Sequence, residues 1–196
     1  MQAQQETWDM PNDFVDVVYY HGGLRLSEFV RRPDSIELEV GCSDEYYMMH
    51  YKFKLCLDHI EEEFGTYDFI FRTNSSSYIN KERLLKHAET LPKEKCYAGW
   101  SLGEKEAVSG AGIWLSPDMV SILRDEVTAG VNIEEDILIG RILHGKHGIE
   151  IIDDKSRVDV TDPDLAPIDF YHYRFKTSDR LQDIRNMYQL HQMVKK

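Results

Sequence analysis

The chain has 196 residues, 42% hydrophobic and 30% charged, with 23 Lys/Arg against 35 Asp/Glu and a formal net charge of −12. That length suits one domain burying roughly 70% of its unfolded surface. The aromatic load of 11 Tyr, 8 Phe and 3 Trp describes a packed soluble protein rather than a disordered one. The acidic balance argues against nucleic acid as the main partner. No apolar run approaches the ~18–20 residues of a membrane span, and residues 1–5 lack the charged and apolar regions of a signal peptide. The expected location is the cytoplasm, or the chain is a soluble catalytic fragment of a longer protein. Within the acidic total, residues 171–196 carry six Lys/Arg against two Asp, either a solvated helix or the seat of a small anionic ligand. Cys42, Cys56 and Cys96 are an odd count without CxxC or CxxH spacing, which fits a reduced, zinc-free interior.

In chain order, Asp16-Val17-Val18-Tyr19-Tyr20 reads as a buried strand stopped by Gly22-Gly23. Ser43 is placed to cap a helix over about 44–64, with Met49, Phe53, Cys56, Leu57, Ile60 and Phe64 on one face and Gly65 ending it. Tyr67–Phe71 is the next strand, followed by the polar string 72–77. A short helix spans about 81–89, and Cys96–Trp100 is a strand. Ser109-Gly110-Ala111-Gly112 leads into Ile113-Trp114-Leu115, after which Ser116-Pro117 opens a helix. Asn132 is expected to cap a helix that begins Glu134-Glu135-Asp136 and closes at Gly145, before a strand over 149–152. The last helix starts after Ser178 and is expected to bury Leu181, Ile184, Tyr188, His191 and Val194. Alternating strands and helices indicate an α/β sandwich, whose ligands bind at the carboxyl ends of the strands. Residues 72–77 lie at such an end.

Phe71-Arg72-Thr73-Asn74-Ser75-Ser76-Ser77-Tyr78-Ile79-Asn80 resembles the K-T-D-D-D-V-F-V-N type string of the beta-1,3-galactosyltransferase and fringe-like glycosyltransferases. Further pieces follow in the same order. Thr7-Trp8 is similar to that family's early T-W, and Asp44-Glu45-Tyr46 with Lys52 to its D-x-Y…K helix. Tyr97-Ala98-Gly99, Ser109-Gly110-Ala111-Gly112 and Leu115-Ser116 resemble its Y-A-G and S-G-A-G…L-S segments. Glu135-Asp136-Ile137 with Gly140 resembles its E-D-V…G helix, and His172-Tyr173-Arg174-Phe175-Lys176 is similar to the segment closing the donor site in many GT-A enzymes. The resemblance implies a single GT-A-like domain over residues 1–196. Its expected core is a central mixed, largely parallel sheet flanked by helices, without the family's usual first strand.

The implied activity is transfer of a sugar from a nucleotide-diphosphate sugar to a hydroxyl of a glycan or glycoprotein acceptor, with inversion. By resemblance Asp136 is the general base and Glu135 the second choice; on composition alone both complement a helix N-terminus. Donor binding falls to Lys52, Arg72, Asn74, Ser75, Ser76, His172, Arg174 and Lys176, with Arg180 as a further cation. Sugar or acceptor contacts fall to Ser109, Gly110 and Trp114. The family's acidic triplet is Asn74-Ser75-Ser76 here. Those groups hydrogen-bond but do not neutralise a divalent ion. Mn²⁺ or Mg²⁺ is therefore not required by the residues, and a clamp of Arg and Lys is the alternative countercharge. A non-catalytic nucleotide-sugar or glycan-binding domain is the rival reading.

Overall fold

The computed structural model describes residues 2–23, 28–32 and 35–194. Helix α1 (Gln2–Glu6) precedes strands β1 (Val18–Gly22), β2 (Glu28–Arg32) and β3 (Ser35–Val40) and helix α2 (Met49–Phe64). Strands β4 (Ile70–Thr73) and β5 (Ser77–Ile79) lead to helix α3 (Lys81–Ala88), then β6 (Tyr97–Ser101) and β7 (Val108–Leu115). Helices α4 (Pro117–Glu126) and α5 (Glu135–Gly140) are followed by β8 (Ile152–Asp153), β9 (Arg157–Val160), β10 (His172–Phe175) and helix α6 (Arg180–Val194). The class is mixed α/β. No described helix is long and apolar enough to cross a membrane. Lys195 and Lys196, part of the basic tail, lie outside the described residues.

Two compact units divide the chain. Unit 1 takes the residues up to Asp16, Thr73–Leu91 and everything from Asp154 on; unit 2 takes Val17–Arg72 and Pro92–Asp153. The strands pair in three mixed sheets, β1-β3-β2, β5-β10-β9 and β4-β7-β6-β8, where one largely parallel sheet was expected. The pairs β1–β3, β6–β8 and β9–β10 are parallel, whereas β2–β3, β5–β10 and β6–β7 are antiparallel.

In unit 2 the core joins Phe53 and Leu57 of α2, Val108, Ile113 and Leu115 of β7, Met119 and Leu123 of α4, and Ile139 of α5. A second cluster packs Leu38 and Val40 of β3 on Cys56. Helix α2 begins later than expected: a 3₁₀ turn over Tyr46–Met48 precedes it, and Ser43 Oγ accepts the N–H of Glu45 at 3.3 Å rather than capping the helix. Gly65 does end it, at φ +68°, a conformation only glycine takes without strain. Ser116 is the N-cap residue of α4 and Pro117 its first position, as expected, although the Ser116 Oγ accepts the N–H of Cys96 at 2.9 Å and makes no capping bond. The cap of α5 is Glu134, not Asn132, and the helix runs on through Gly145 as a π-helical turn over Arg141–Lys146. A Cβ on Gly140 would lie 2.6 Å from the Glu106 carbonyl and 2.7 Å from Ala107 Cβ. Glycine thus lets α5 lie directly against the start of β7. The expected strand over 149–152 shrinks to Ile152–Asp153.

In unit 1, β10 is central. Its alternate residues Tyr173 and Phe175 are fully buried, with Tyr173 edge-on to Tyr78 of β5 at 6.0 Å. Trp8 is buried too, its Nε1 donating to the Ser77 carbonyl at 2.9 Å. Asn80 caps α3 by accepting the Arg83 N–H at 3.0 Å. Helix α6 buries His191 as expected and half-buries Tyr188 and Val194, but the rest of its buried face differs. Leu181 and Ile184 are 63% and 41% exposed, whereas Asp183, Asn186, Met187, Leu190 and His191 are buried. The buried polar groups are satisfied: Asp183 accepts the Thr177 N–H at 2.9 Å, and Asn186 donates to the Thr161 carbonyl at 3.2 Å.

Candidate functional site

Unit 2 gathers four of the expected site residues. Arg72, on β4, and Glu135, on the first turn of α5, are both buried, and Arg72 Nη2 donates to Glu135 Oε2. Burial works against the charge on Arg72, but Glu135 and the neighbouring Tyr20 outweigh it and hold the guanidinium above its ordinary value. Burial pushes the Glu135 carboxyl up against the pull of Arg72. Asp136, one residue on, is only half-buried. Its Oδ2 accepts the Gly110 N–H at 3.2 Å, and its Oδ1 accepts the Ile137 N–H at 3.0 Å. A Cβ on Gly110 would meet Arg72 Nη1 at 3.4 Å and Asp136 Oδ2 at 3.5 Å, so the bare strand lies against both groups. Two adjacent carboxylates thus have unlike surroundings, one neutralised by a guanidinium and one oriented by backbone N–H groups.

Other expected residues of unit 2 are placed differently. Lys52 Nζ is 2.5 Å from Asp44 Oδ1, and Asp44 also accepts the Gly22 N–H at 2.9 Å. Those two bonds hold the Asp44 carboxyl below its usual value. Ser109 is buried, its Oγ accepting the Ala111 N–H at 3.4 Å. Trp114 is 3% exposed and packs on Phe69 and Phe71 at 5.9 and 4.7 Å. Its ring is committed to the sheet rather than offered to a sugar. Cys56 and Cys96 are buried free thiols, each pushed up to about 12 by burial, and are inert at neutral pH.

Unit 1 assembles a second cluster on the sheet face opposite its buried tyrosines. The register sets His172 beside Arg157 and Arg174 beside Ser77, and alternation puts all four on one face. His172 Nε2 is 2.8 Å from Ser77 Oγ, both fully buried. Burial, reinforced by Arg157 and Arg174, pushes His172 down to about 3. The imidazole is therefore neutral. Arg157 pairs with Asp159 at 3.3 Å, while the buried Nε of Arg174 has no hydrogen-bond partner. Lys176 is exposed, one residue past β10. Arg180 is held by Asp183 at 3.0 Å and reaches Ser75 Oγ at 3.3 Å.

Asn74-Ser75-Ser76 forms a self-contained turn. Asn74 Oδ1 accepts from Ser76 N at 3.1 Å, Ser76 Oγ at 2.8 Å and Ser77 Oγ at 3.2 Å. With Asn74 so occupied and His172 turned to Ser77, the residues expected around a divalent ion do not form an oxygen-rich shell. Among the described residues, no group of three His, Cys, Asp or Glu is placed to hold a metal. Next to this cluster, Asp154 accepts from Tyr171 Oη and lies 3.1 Å from His87 Nε2. These bonds, with those from Ser156, hold its carboxyl far below the ordinary range in spite of burial. Sequence reasoning missed Ser77, Arg157 and the Asp154 group. Arg157-Val158-Asp159-Val160 alternates as a strand does and was the available signal.

The chain matches no protein-family model, and no curated protein is detectably similar to it.

Proposed function

We propose that the chain is a glycosyltransferase of GT-A type, transferring a sugar from a nucleotide-diphosphate donor to a glycan hydroxyl with inversion. The observation that carries the reading is the division of labour between Glu135 and Asp136. Glu135 is buried in its bond to Arg72, whereas Asp136 is half-buried and oriented by two backbone N–H groups, so Asp136 is the carboxylate we place at the acceptor hydroxyl. In the proposed step the acceptor oxygen attacks the anomeric carbon, its proton passes to Asp136, and the bond to the nucleoside diphosphate breaks with its electron pair. Glu135 serves as partner to Arg72 rather than as a second base. Within unit 1, His172, Arg174 and Lys176, with Arg157, are proposed as an anion-binding group. No step is routed through a metal, because the donor set around Asn74 and His172 does not suit one.

Release of nucleoside diphosphate from UDP- and GDP-hexoses is the test, measured with a glycan acceptor, in EDTA and with added Mn²⁺. Release that continues in EDTA and depends on Asp136 supports the reading. Complete loss in EDTA with full recovery on Mn²⁺ would overturn the metal-free clamp. The self-contained Asn74-Ser75-Ser76 turn favours a non-catalytic binding domain as the second reading. Donor binding without release under any condition selects it.

A further inference from the structure

Unit 2 carries a recess that none of these roles uses. It has a volume of about 350 Å³ and is lined by Tyr47, Met48, Gly130, Val131 and Asn132, at the small end of the roughly 300–1,000 Å³ typical of small-molecule sites. Two loops build it, the 3₁₀ turn before α2 and the approach to α5. Tyr47 is 54% exposed and its neighbour Tyr46 72%, an outlay of aromatic surface that folding does not explain. Tyr47 Oη donates to Glu45, which anchors the ring. Gly130, at φ +81°, has open space where a side chain would stand, and Asn132 adds an exposed amide able both to donate and to accept.

We propose that this recess is the acceptor subsite, taking a neutral pyranose of the acceptor glycan between the Tyr47 ring and the Asn132 amide. An aromatic face suits the apolar C–H face of a sugar, and an amide suits its paired hydroxyls. The charge nearby disfavours an anionic occupant: Asp44 and Glu135 are matched by Lys52 and Arg72, and Glu45, Glu134 and Asp136 add further negative charge to the same segments. Chain geometry ties the recess to the proposed base: Asn132 and Asp136 are four residues apart, at most about 14 Å between Cα atoms. Two linked pyranose rings cover that span. The acceptor role rests on the glycosyl-transfer reading; sugar binding at the recess does not.

The test is saturation-transfer NMR with the methyl glycosides of glucose, galactose, mannose and N-acetylglucosamine, and with N-acetyl-phenylalaninamide as an apolar peptide probe. Transfer from at least one glycoside is expected, with a dissociation constant on the order of 1 mM. Affinity should fall at least about tenfold in Tyr47→Ala and in Asn132→Ala, at unchanged melting temperature, and be retained in Tyr47→Phe. No transfer from any glycoside, transfer indifferent to both alanine variants, or Tyr47-dependent binding of the peptide probe alone would overturn the proposal. Glycoside binding without nucleotide-sugar turnover would sink the transferase reading and leave the sugar site standing. Turnover without Tyr47-dependent glycoside binding would do the reverse.

Discussion

Unit 2 buries Arg72 against Glu135; unit 1, beside its own pairs Lys81–Asp9 and Arg157–Asp159, sets two guanidiniums, Arg157 and Arg174, around His172. A buried opposite pair is held by both partners and fails when one is removed. A group of like charges opposes folding, and Arg174 on Arg157 is such a pairing.

The largest effect should come from breaking the pair in unit 2. Arg72→Met leaves Glu135 buried without its partner and is expected to cost about 3–5 kcal/mol in chemical denaturation. Arg72→Met with Glu135→Leu should recover most of it. A single variant as stable as the wild type would remove the contrast. Next, Asp136→Asn should keep the fold while lowering turnover about 10²-fold or more. Because Glu135 is occupied by Arg72, it should not substitute. Turnover near wild type in the purified variant would take Asp136 out of the reaction.

In unit 1 the neutral His172 gives a pH signature. Burial pushes the ring from its ordinary 6.5 down to about 3 in the folded chain, so the unfolded chain takes the proton first. Stability contributed by the neutral ring is present above about pH 6.5 and is lost as pH falls from there towards 3. Urea denaturation across that window should show a slope that His172→Gln reduces by about one proton. An unchanged slope would mean the ring is not held neutral. The smallest effect belongs to Arg174→Gln: removing the charge that works against Arg157 should leave stability at or slightly above wild type, while calorimetry should show weaker, less salt-sensitive donor binding. A large loss of stability with donor binding intact would make Arg174 structural, like Arg72.

Local signals located much of the fold. Asn80 caps α3 and Gly65 stops α2 because each acts on backbone groups a few residues away. What sequence reading could not supply was the partner at a distance. Helix α6 begins where expected, after Ser178, but its buried polar face is satisfied by Thr177 and Thr161, which bond Asp183 and Asn186. Ser43 and Asn132 have the right chemistry for caps, yet a 3₁₀ turn and Glu134 stand at those helix starts. Within the site, Asp136, Glu135, Arg72 and Gly110 were each legible, while the Arg72–Glu135 bond spans 63 residues. Trp114 carried the composition of a sugar wall and was claimed by Phe69 and Phe71, whereas Phe14, Tyr46 and Tyr47 are exposed.

The interleaving of the two units has a consequence for how the chain is made. Unit 2 has all of its residues once Asp153 has been added, so it can close while the rest is still on the ribosome. Strand β5 cannot: the His172 that bonds Ser77 is 95 residues further on, and Tyr78 and Ile79 wait until β10 arrives to cover them. Throughout that interval an apolar strand edge is open to other chains. A chain stopped at Asp153 would hold every residue of unit 2 and only part of unit 1, with β5 still lacking its partner strand β10.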